Sequence, residues 1–250
     1  MDLQVSVAGG DTAYTLNLHK RVARVAEIAG SLHGKRLLDC GCGAGAYARE
    51  YARLGAKTVG VEYQRDKLKH APRVTGELLL MAADAAALPL ASERFDVVVL
   101  NEVLEHVPDQ QRVLAELRRV LVRGGLLVLM SPNRLYPFEA HGVTLRLNAR
   151  SLPAHTPFVP YVPLALGTHV FDYWARNYWP WELRGLVRDA GFRIDKTGYV
   201  AQTFEGISGT QPSWIRKFKP LLREAVTFAE HVPGLRALCS VSQLIAATKP

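Results

Sequence analysis

The apolar residues of the chain fall into two alternating patterns before Pro132. Residues 35–41, 57–63, 77–84, 94–102 and 126–132 are short apolar runs, which are typical of buried strands. Residues 46–55 and 109–125 instead carry apolar residues at helical spacing, and residues 64–71 and 14–34 read as a short and a longer helix. Strands that alternate with helices predict a parallel sheet with helices on both faces.

After Pro132 the pattern changes. Residues 133–180 are rich in proline and aromatic residues, which argues against a regular helix and against central strands, and their length suits a lid over a binding site. Residues 181–192 restore a helix and residues 193–201 a strand. A basic amphipathic segment, interrupted at Pro220, follows, and residues 242–250 supply the last strand.

These patterns predict a single domain of 250 residues. Residues 1–132 form its core, residues 133–180 a lid that contacts the substrate, and residues 181–250 the C-terminal strands with the basic amphipathic insertion. Cys40, Cys42 and Cys239 suit neither a zinc site nor a disulfide framework, which favours a reducing compartment. The first residues lack the features of a signal peptide and no apolar run is long enough for a membrane span, so we expect a cytoplasmic protein.

The formal net charge is +8, and its excess is concentrated late in the chain. Residues 133–250 hold 14 basic and 8 acidic residues. Such an excess suits an anionic substrate, a nucleic acid or a membrane surface, and it equally suits an ordinary solvated surface.

The stretch "LLDCGCGAG", residues 37–45, is a glycine-rich turn after the first strand. Gly41, Gly43 and Ala46 fit the permissive fingerprint of a dinucleotide site, in which backbone N–H groups attract a pyrophosphate. Asp39, two residues before the first glycine, would repel that anion. A carboxylate at this position would attract the ammonium and sulfonium groups of S-adenosylmethionine, so Asp39 favours this cofactor.

Two further acids end the next strands. Glu62 ends the second strand, where a carboxylate can accept hydrogen bonds from ribose hydroxyls, and Asp84 ends the third, where it can accept one from the adenine amino group while the Ala85 N–H faces a ring nitrogen. Each acid alone could equally be a helix cap or a solvated strand end. Three acids at successive strand ends favour a cofactor site, because ligands of open α/β sheets bind at the carboxyl ends of the strands.

The sequence resembles the class I S-adenosylmethionine-dependent methyltransferases. The resemblance is carried by "LLDCGCGAG", "VGVE", "AADAAALPL", "FDVVVLNEVLEHVPD" and "VLVRGGLLVLMSPN". It implies an α/β, Rossmann-like sheet of seven mostly parallel strands, with the last strand antiparallel. The cofactor contacts that it implies are Asp39, Gly41, Gly43, Gly45, Glu62, Tyr63, Asp84, Ala85 and Asn101.

The motif "NEVLEHVPD" after the fourth strand holds the candidate catalytic residues. If the segment is helical, Glu102, Glu105 and His106 stand at i, i+3 and i+4 and share one face, where they could bind a divalent cation such as Mg²⁺. The motif resembles that of ubiquinone-biosynthesis O-methyltransferases of the UbiG/Coq3 type and of small-RNA 2′-O-methyltransferases, in which a later loop adds a histidine. "GTH", which ends at His169, matches the wording of the quinone enzymes.

Three roles for this motif stay open. Glu102, Glu105, His106 and His169 could hold a metal; alternatively, His106 or His169 acts as a base or positions the substrate, with Glu102 beside it; or the residues are structural. His141, in the predicted lid, is a further candidate base.

The acceptor is predicted from two features. No Asn/Asp-Pro-Pro-aromatic turn follows the fourth strand, which disfavours methylation of DNA-base amino groups, and the aromatic residues of 133–180 suit a small apolar or aromatic acceptor, methylated at a hydroxyl. The basic segment from Trp214 to Phe228 suggests a peripheral membrane contact. The alternatives are an RNA 2′-O-methyltransferase, a non-catalytic cofactor-binding partner subunit and an NAD-dependent oxidoreductase. The oligomeric state does not follow from the sequence.

Overall fold

The computed structural model describes residues 15–69, 71, 77–152, 156–201, 203 and 213–250. The chain forms two compact units: the first is Met1–Met130 with Arg184–Thr197 and Leu244–Pro250, and the second is Ser131–Leu183 with Gly198–Gln243. Residues 1–14, on which the expectation about a signal peptide rests, lie outside the described residues, as does the side chain of Trp214.

The strands of the described residues make one large sheet and one small sheet. In chain order they are β1 Arg36–Cys40, β2 Lys57–Glu62, β3 Leu78–Ala82, β4 Phe95–Asn101, β5 Leu121–Pro132, β6 Val143–Leu145, β7 Arg150–Ser151, β8 Phe171–Tyr173, β9 Arg193–Ala201 and β10 Ser240–Thr248. The large sheet has the order β3-β2-β1-β4-β5-β10-β9, and the small sheet the order β7-β6-β8.

β1 lies at the centre of the parallel part of the large sheet. It pairs in parallel with β2 on one side and β4 on the other, so that Asp39 stands opposite Gly60 and Val99. Leu37 and Leu38 are fully buried, as expected of a strand covered on both faces. The register brings the carboxyl ends of β1, β2 and β4 to one edge of the sheet.

β10 runs antiparallel to β5. The N–H of Gly124, near the start of β5, donates to the carbonyl of Lys249 at 2.8 Å, and the N–H of Asn133, past its end, donates to the carbonyl of Val241 at 2.9 Å. The fold class predicted from the sequence, seven mostly parallel strands with the last one antiparallel, is confirmed.

The helices flank these strands. They are α1 Thr15–Ala29, α2 Ala46–Arg53, α3 Arg65–Lys69, α4 Gln110–Val120, α5 Leu164–Val170, α6 Pro180–Asp189, α7 Ser213–Glu230 and α8 Leu235–Leu238. Asp109 caps α4 by accepting a 2.9 Å hydrogen bond from the N–H of Arg112. The prediction that this helix reaches residue 125 was wrong, because Leu121 leaves it to pair with Phe95 of β4 and so begins β5.

Two expectations for the later half of the chain were also wrong. Within residues 133–180 the structure has a short helix, α5, preceded by Pro163 at its N-cap, so the proline begins a helix instead of preventing one. α7 continues through Pro220 without a break. Among the described residues, no helix combines the length and apolar character needed to cross a bilayer.

Candidate functional site

The glycine turn between β1 and α2 is tightly constrained. The N–H groups of Gly41 and Cys42 both donate to the carbonyl of Val61, at 2.7 and 2.9 Å, which fixes the turn to β2. Gly41 has a φ of 82°, and a Cβ built on it would lie 2.2 Å from Cγ2 of Val103. The position therefore requires glycine for its backbone conformation and for its space.

Asp39, on β1 beside this turn, is a buried carboxylate. The N–H of Ala48 donates to it, while its Oδ2 has no hydrogen-bond partner among the described residues. Burial raises the pKa of Asp39 to about 7, and the nearby charge of Glu62 adds to the effect. A buried carboxylate oxygen without a partner is costly, and a ligand that brings an ammonium group would satisfy it. Asp39 thus fits the methionine end of S-adenosylmethionine.

Glu62 ends β2, as predicted, and it also holds the turn together. Its Oε2 accepts a hydrogen bond from the N–H of Gly43 and its Oε1 one from the N–H of Gln64, both at 2.9 Å. This structural role is absent from the sequence prediction. Each carboxylate oxygen can accept a second hydrogen bond, so the fixed carboxylate keeps acceptor capacity for ribose hydroxyls.

A cavity of about 600 Å³ opens at this edge of the sheet in the first unit. This volume lies within the range usual for small-molecule sites. The predicted residues that line it are Gly41, Glu62, Tyr63, Asp84, Ala85, Glu102 and His106, and it is also lined by Gln64, Lys67, Val107, Pro108 and Asp109. Asp39, Gly43, Gly45, Asn101 and Glu105 are not among the lining residues.

The predicted adenine end of the cavity is open. β3 ends at Ala82, so Asp84 lies in the turn after it, where its Oδ1 accepts a 2.8 Å hydrogen bond from the N–H of Ala86. The side chain of Tyr63 is 75% exposed beside the cavity, which leaves its ring accessible for stacking on a planar base.

Arg21, on α1, reaches the end of β4. Its Nη1 donates to Oδ1 of Asn101 at 2.5 Å and to Oε1 of Glu102 at 2.9 Å, and its side chain is 4% exposed. Burial is the largest single influence and lowers the pKa of Arg21, but the charges around it, that of Glu102 first, and its hydrogen bond to Glu102 together outweigh burial, so its pKa is raised. The sequence prediction missed Arg21. The available signal was its place one turn before the buried Val25, on the apolar face of the helix.

The post-β4 motif is not the predicted helix. Glu102 has a φ of 55°, and only Leu104–His106 form a short 3₁₀ turn, so Glu102, Glu105 and His106 do not share one helical face. A non-glycine residue in the left-handed region is uncommon and is found preferentially at functional sites. Glu105 is buried and His106 exposed, yet a carboxylate oxygen of the first and a ring nitrogen of the second lie within 4.8 Å of each other.

The remaining candidates, His141 and His169, belong to the second unit. His169 lies exposed in α5. The turn that carries His141 is organised by Glu139, which accepts hydrogen bonds from the N–H of His141 at 2.9 Å and from the side chain of Asn177 at 2.9 Å. Burial raises the pKa of Glu139, whereas these hydrogen bonds favour its charged form.

The fold and this site define a class of protein, the Rossmann-like enzymes that bind S-adenosylmethionine. The family model described as a methyltransferase domain matches residues 38–129. A ubiquinone biosynthesis O-methyltransferase of Bordetella bronchiseptica is 32% identical over 199 residues, which cover 75% of this chain and 73% of the relative. The chain belongs to the S-adenosylmethionine-dependent methyltransferase family.

Two other matches agree with this assignment. A ubiquinone biosynthesis O-methyltransferase of Cereibacter sphaeroides is 35% identical over 175 residues, which cover 67% of this chain; the chain spans 64% of that relative's length. The crystal structure of an S-adenosylmethionine-dependent methyltransferase from Mesorhizobium loti has a TM-score of 0.60 and 19% identity, and the match covers 96% of this chain and 99% of the other. At that identity the structural match supports the fold alone.

Proposed function

We propose that the protein is an active methyltransferase that transfers the methyl group of S-adenosylmethionine to a hydroxyl of a small apolar or aromatic acceptor. The observation that carries the proposal is the buried Asp39, whose Oδ2 has no hydrogen-bond partner among the described residues, next to a glycine turn held by Glu62. An NAD pyrophosphate in the same turn would meet the charge of Asp39, which argues for a cationic cofactor.

The acceptor is proposed from the relatives and from the second unit. Both relatives are named for O-methylation in ubiquinone biosynthesis, and ubiquinone is a lipophilic quinone. Residues 133–180 carry the aromatic side chains expected of a cover for such a molecule. We therefore favour a phenolic hydroxyl on the ring of a lipophilic acceptor. Because such an acceptor resides in a bilayer, we also propose a peripheral membrane contact.

The proposed base is His106. Methyl transfer is an in-line displacement at a carbon that the sulfonium already activates, so the protein aligns the hydroxyl and removes its proton. His106 lines the cavity, and a carboxylate oxygen of the buried Glu105 lies within 4.8 Å of a ring nitrogen of His106. Glu102 is held by Arg21 and acts as a positioning residue in this mechanism. His169 is the second candidate for the base.

A divalent cation such as Mg²⁺ is the competing mechanism. The proximity of Glu105 and His106 favours it, since two ligands would already be close together. The sequence prediction adds Glu102 and His169 to this set. The ion pair of Glu102 with Arg21 counts against it, because a metal would have to compete with a buried guanidinium.

The proposal is tested in two steps. S-adenosylhomocysteine should raise the melting temperature of the protein, and NAD should not. Cofactor with a labelled methyl group should then label dihydroxybenzenes that carry an alkyl chain. Stabilisation by NAD alone would contradict the cofactor assignment. Label in RNA, with binding that falls steeply with salt, would favour the RNA alternative, and cofactor binding without label in any acceptor would favour a non-catalytic subunit.

A further inference from the structure

The exposed apolar side chains are concentrated in the second unit. Among the described residues, fifteen large apolar side chains are exposed, and eleven of them belong to the second unit, which is the smaller of the two. These eleven are Leu147, Phe158, Leu166, Val170, Trp174, Trp181, Phe218, Leu221, Phe228, Leu235 and Leu238. Scattered exposed leucines are normal on any protein, whereas apolar side chains exposed together on one face of a helix mark an interaction surface.

Helix α7 carries the most regular part of this surface. Phe218, Leu221 and Phe228 stand at i, i+3 and i+10, which places them within about 80° of one another around the helix. Leu221 is 63% exposed and Phe228 is 70% exposed. The exposed Ala225 falls on the same stripe, while Ala229, on the neighbouring stripe, is buried. The apolar arc of α7 is thus wider than the part of it that the protein covers.

The next helix also exposes apolar side chains. Leu235 and Leu238 of α8 are 45% and 43% exposed and stand three residues apart, on one face of a single turn. Two consecutive helices therefore present five large apolar side chains to solvent. We call these five residues, Phe218, Leu221, Phe228, Leu235 and Leu238, the C-terminal apolar stripe.

The charge of the same segment favours a partner with a negatively charged surface. Helix α7 is basic at its start: its first eleven residues contain four basic residues and no acidic one, and the acidic residues Glu224 and Glu230 follow later in the helix. The four basic residues are Arg216, Lys217, Lys219 and Arg223. A helix with an exposed apolar stripe and basic residues lies in the plane of a membrane interface, where the apolar side chains insert and the basic ones attract anionic lipids. A second copy of this segment would instead bring like charges together.

We propose that the C-terminal apolar stripe docks the protein on an anionic lipid bilayer. The choice of a lipid bilayer as the partner rests in part on the proposed lipophilic acceptor. Docking itself requires neither acceptor nor cofactor. Insertion of the side chains supplies the apolar part of the affinity, and the basic start of α7 supplies a part that depends on salt.

The test is sedimentation of the full chain with vesicles, in the absence of cofactor and acceptor. We expect binding to vesicles of phosphatidylcholine with phosphatidylglycerol, weaker binding to phosphatidylcholine alone, and a loss of binding at high salt. Leu221→Glu with Phe228→Glu should reduce the vesicle partition coefficient by about a hundredfold or more, since burial of each side chain is worth roughly a factor of ten.

A matched control is available in the first unit. Leu54→Glu with Leu79→Glu adds the same two charges at side chains that are 46% and 59% exposed, and it should reduce vesicle binding far less. Stabilisation of every variant by S-adenosylhomocysteine verifies that it is folded.

Three outcomes would overturn the proposal: no vesicle binding by the unmodified protein, equal loss in both double variants, or a dimer that Leu221→Glu with Phe228→Glu dissociates while vesicle binding is unchanged. Methyl transfer to a water-soluble catechol, measured separately, distinguishes a failure of docking from a failure of the proposed activity.

Discussion

The guanidinium of Arg21 is held 2.9 Å from the carboxylate of Glu102, and it also donates to Asn101. This ion pair ties the first helix to the segment after β4. Because Glu102 has a φ of 55°, the pair stabilises a backbone conformation that few residues other than glycine adopt. The conformation of the candidate catalytic motif therefore depends on a residue 81 positions earlier in the chain.

Arg21→Ala should destabilise the protein by about 2–4 kcal/mol, because it removes the buried ion pair with Glu102 and the hydrogen bond that Asn101 accepts from Arg21. Denaturant unfolding measures the loss. Arg24→Ala, on the same helix, removes an exposed ion pair with Glu27 and should change little. Equal stability of the two variants would contradict the role given to Arg21.

The buried Asp39 should make stability and cofactor affinity depend on pH in opposite directions. Its pKa is about 7 in the folded protein against an ordinary value of 3.8. The unfolded chain therefore loses the carboxyl proton of Asp39 at a lower pH than the folded protein does. As pH rises from about 4 to about 7, Asp39 accordingly lowers the stability of the folded protein. A cationic ligand needs the ionised form of Asp39. The affinity for S-adenosylmethionine should therefore fall as pH drops below 7, because protonation of Asp39 opposes binding.

Asp39→Asn should separate these two effects. At pH 8 it should raise the free energy of unfolding of the cofactor-free protein by about 1–3 kcal/mol, because it removes a buried charge. It should also weaken cofactor binding by about 1–3 kcal/mol and abolish its dependence on pH. Calorimetry at several pH values and denaturant unfolding check the two halves.

Asp96→Asn is the matched control for the same substitution on a neighbouring strand. The hydrogen-bonded Arg36 lowers the pKa of Asp96, so its stabilising contribution is present above about pH 4 and is lost on acidification. This variant should be less stable at pH 8 and keep its cofactor affinity. If Asp39→Asn behaved in the same way as Asp96→Asn, the reading of Asp39 as a ligand-binding carboxylate would be wrong.

Much of the fold follows from the sequence because its determinants are local and periodic. The apolar run of β1 and the helical spacing in α2 identify their own secondary structure. The predictions of secondary structure were wrong where contacts between residues far apart in the sequence decide it. Leu121 could extend α4 as well as begin β5, and only its pairing with Phe95 selects the strand. Pro220 weakens α7 locally, yet the helix continues through it.

The candidate site likewise contains features that the local sequence predicts and features that depend on distant contacts. Glu62 could be predicted because it ends a strand beside the glycine turn. The contacts of Arg21 could not, since its acceptors lie 80 and 81 residues away in the sequence, although its place on the apolar face of α1 was a signal that it is buried. Helical spacing suggested a shared face for Glu102 and Glu105, but the left-handed conformation of Glu102 places them in a turn. Strain of this kind leaves no periodic signal.

Gly41→Ala should disrupt the site twice over. The added Cβ would meet Cγ2 of Val103 at 2.2 Å, and the φ of 82° is unfavourable for alanine. Gly34→Ala is the control, with a φ of 75° and no atom within 4 Å, so it should cost only the conformational term of about 1–2 kcal/mol.

Gly41→Ala should lose more stability than Gly34→Ala, and part of this difference should be recovered by adding Val103→Ala, which removes the clashing methyl groups. Unfolding and S-adenosylhomocysteine binding of the two single variants and the double variant give the coupling. Strict additivity would contradict the contact.

The last prediction separates the proposed base from the competing metal. If His106 is the base, chelation leaves turnover unchanged, and the rate rises with pH through a histidine-like pKa that disappears in His106→Gln. His33→Gln, which replaces an exposed histidine of the same unit, should keep both the rate and its pH profile.

If Glu102, Glu105, His106 and His169 hold a cation, chelation should abolish turnover while cofactor affinity stays nearly intact, and Mg²⁺ should restore turnover. His169→Gln then reduces activity through the metal, and its loss is offset by a higher Mg²⁺ concentration. Full activity of the chelated protein rejects the metal, and activity that survives replacement of both His106 and His169 rejects the histidine base.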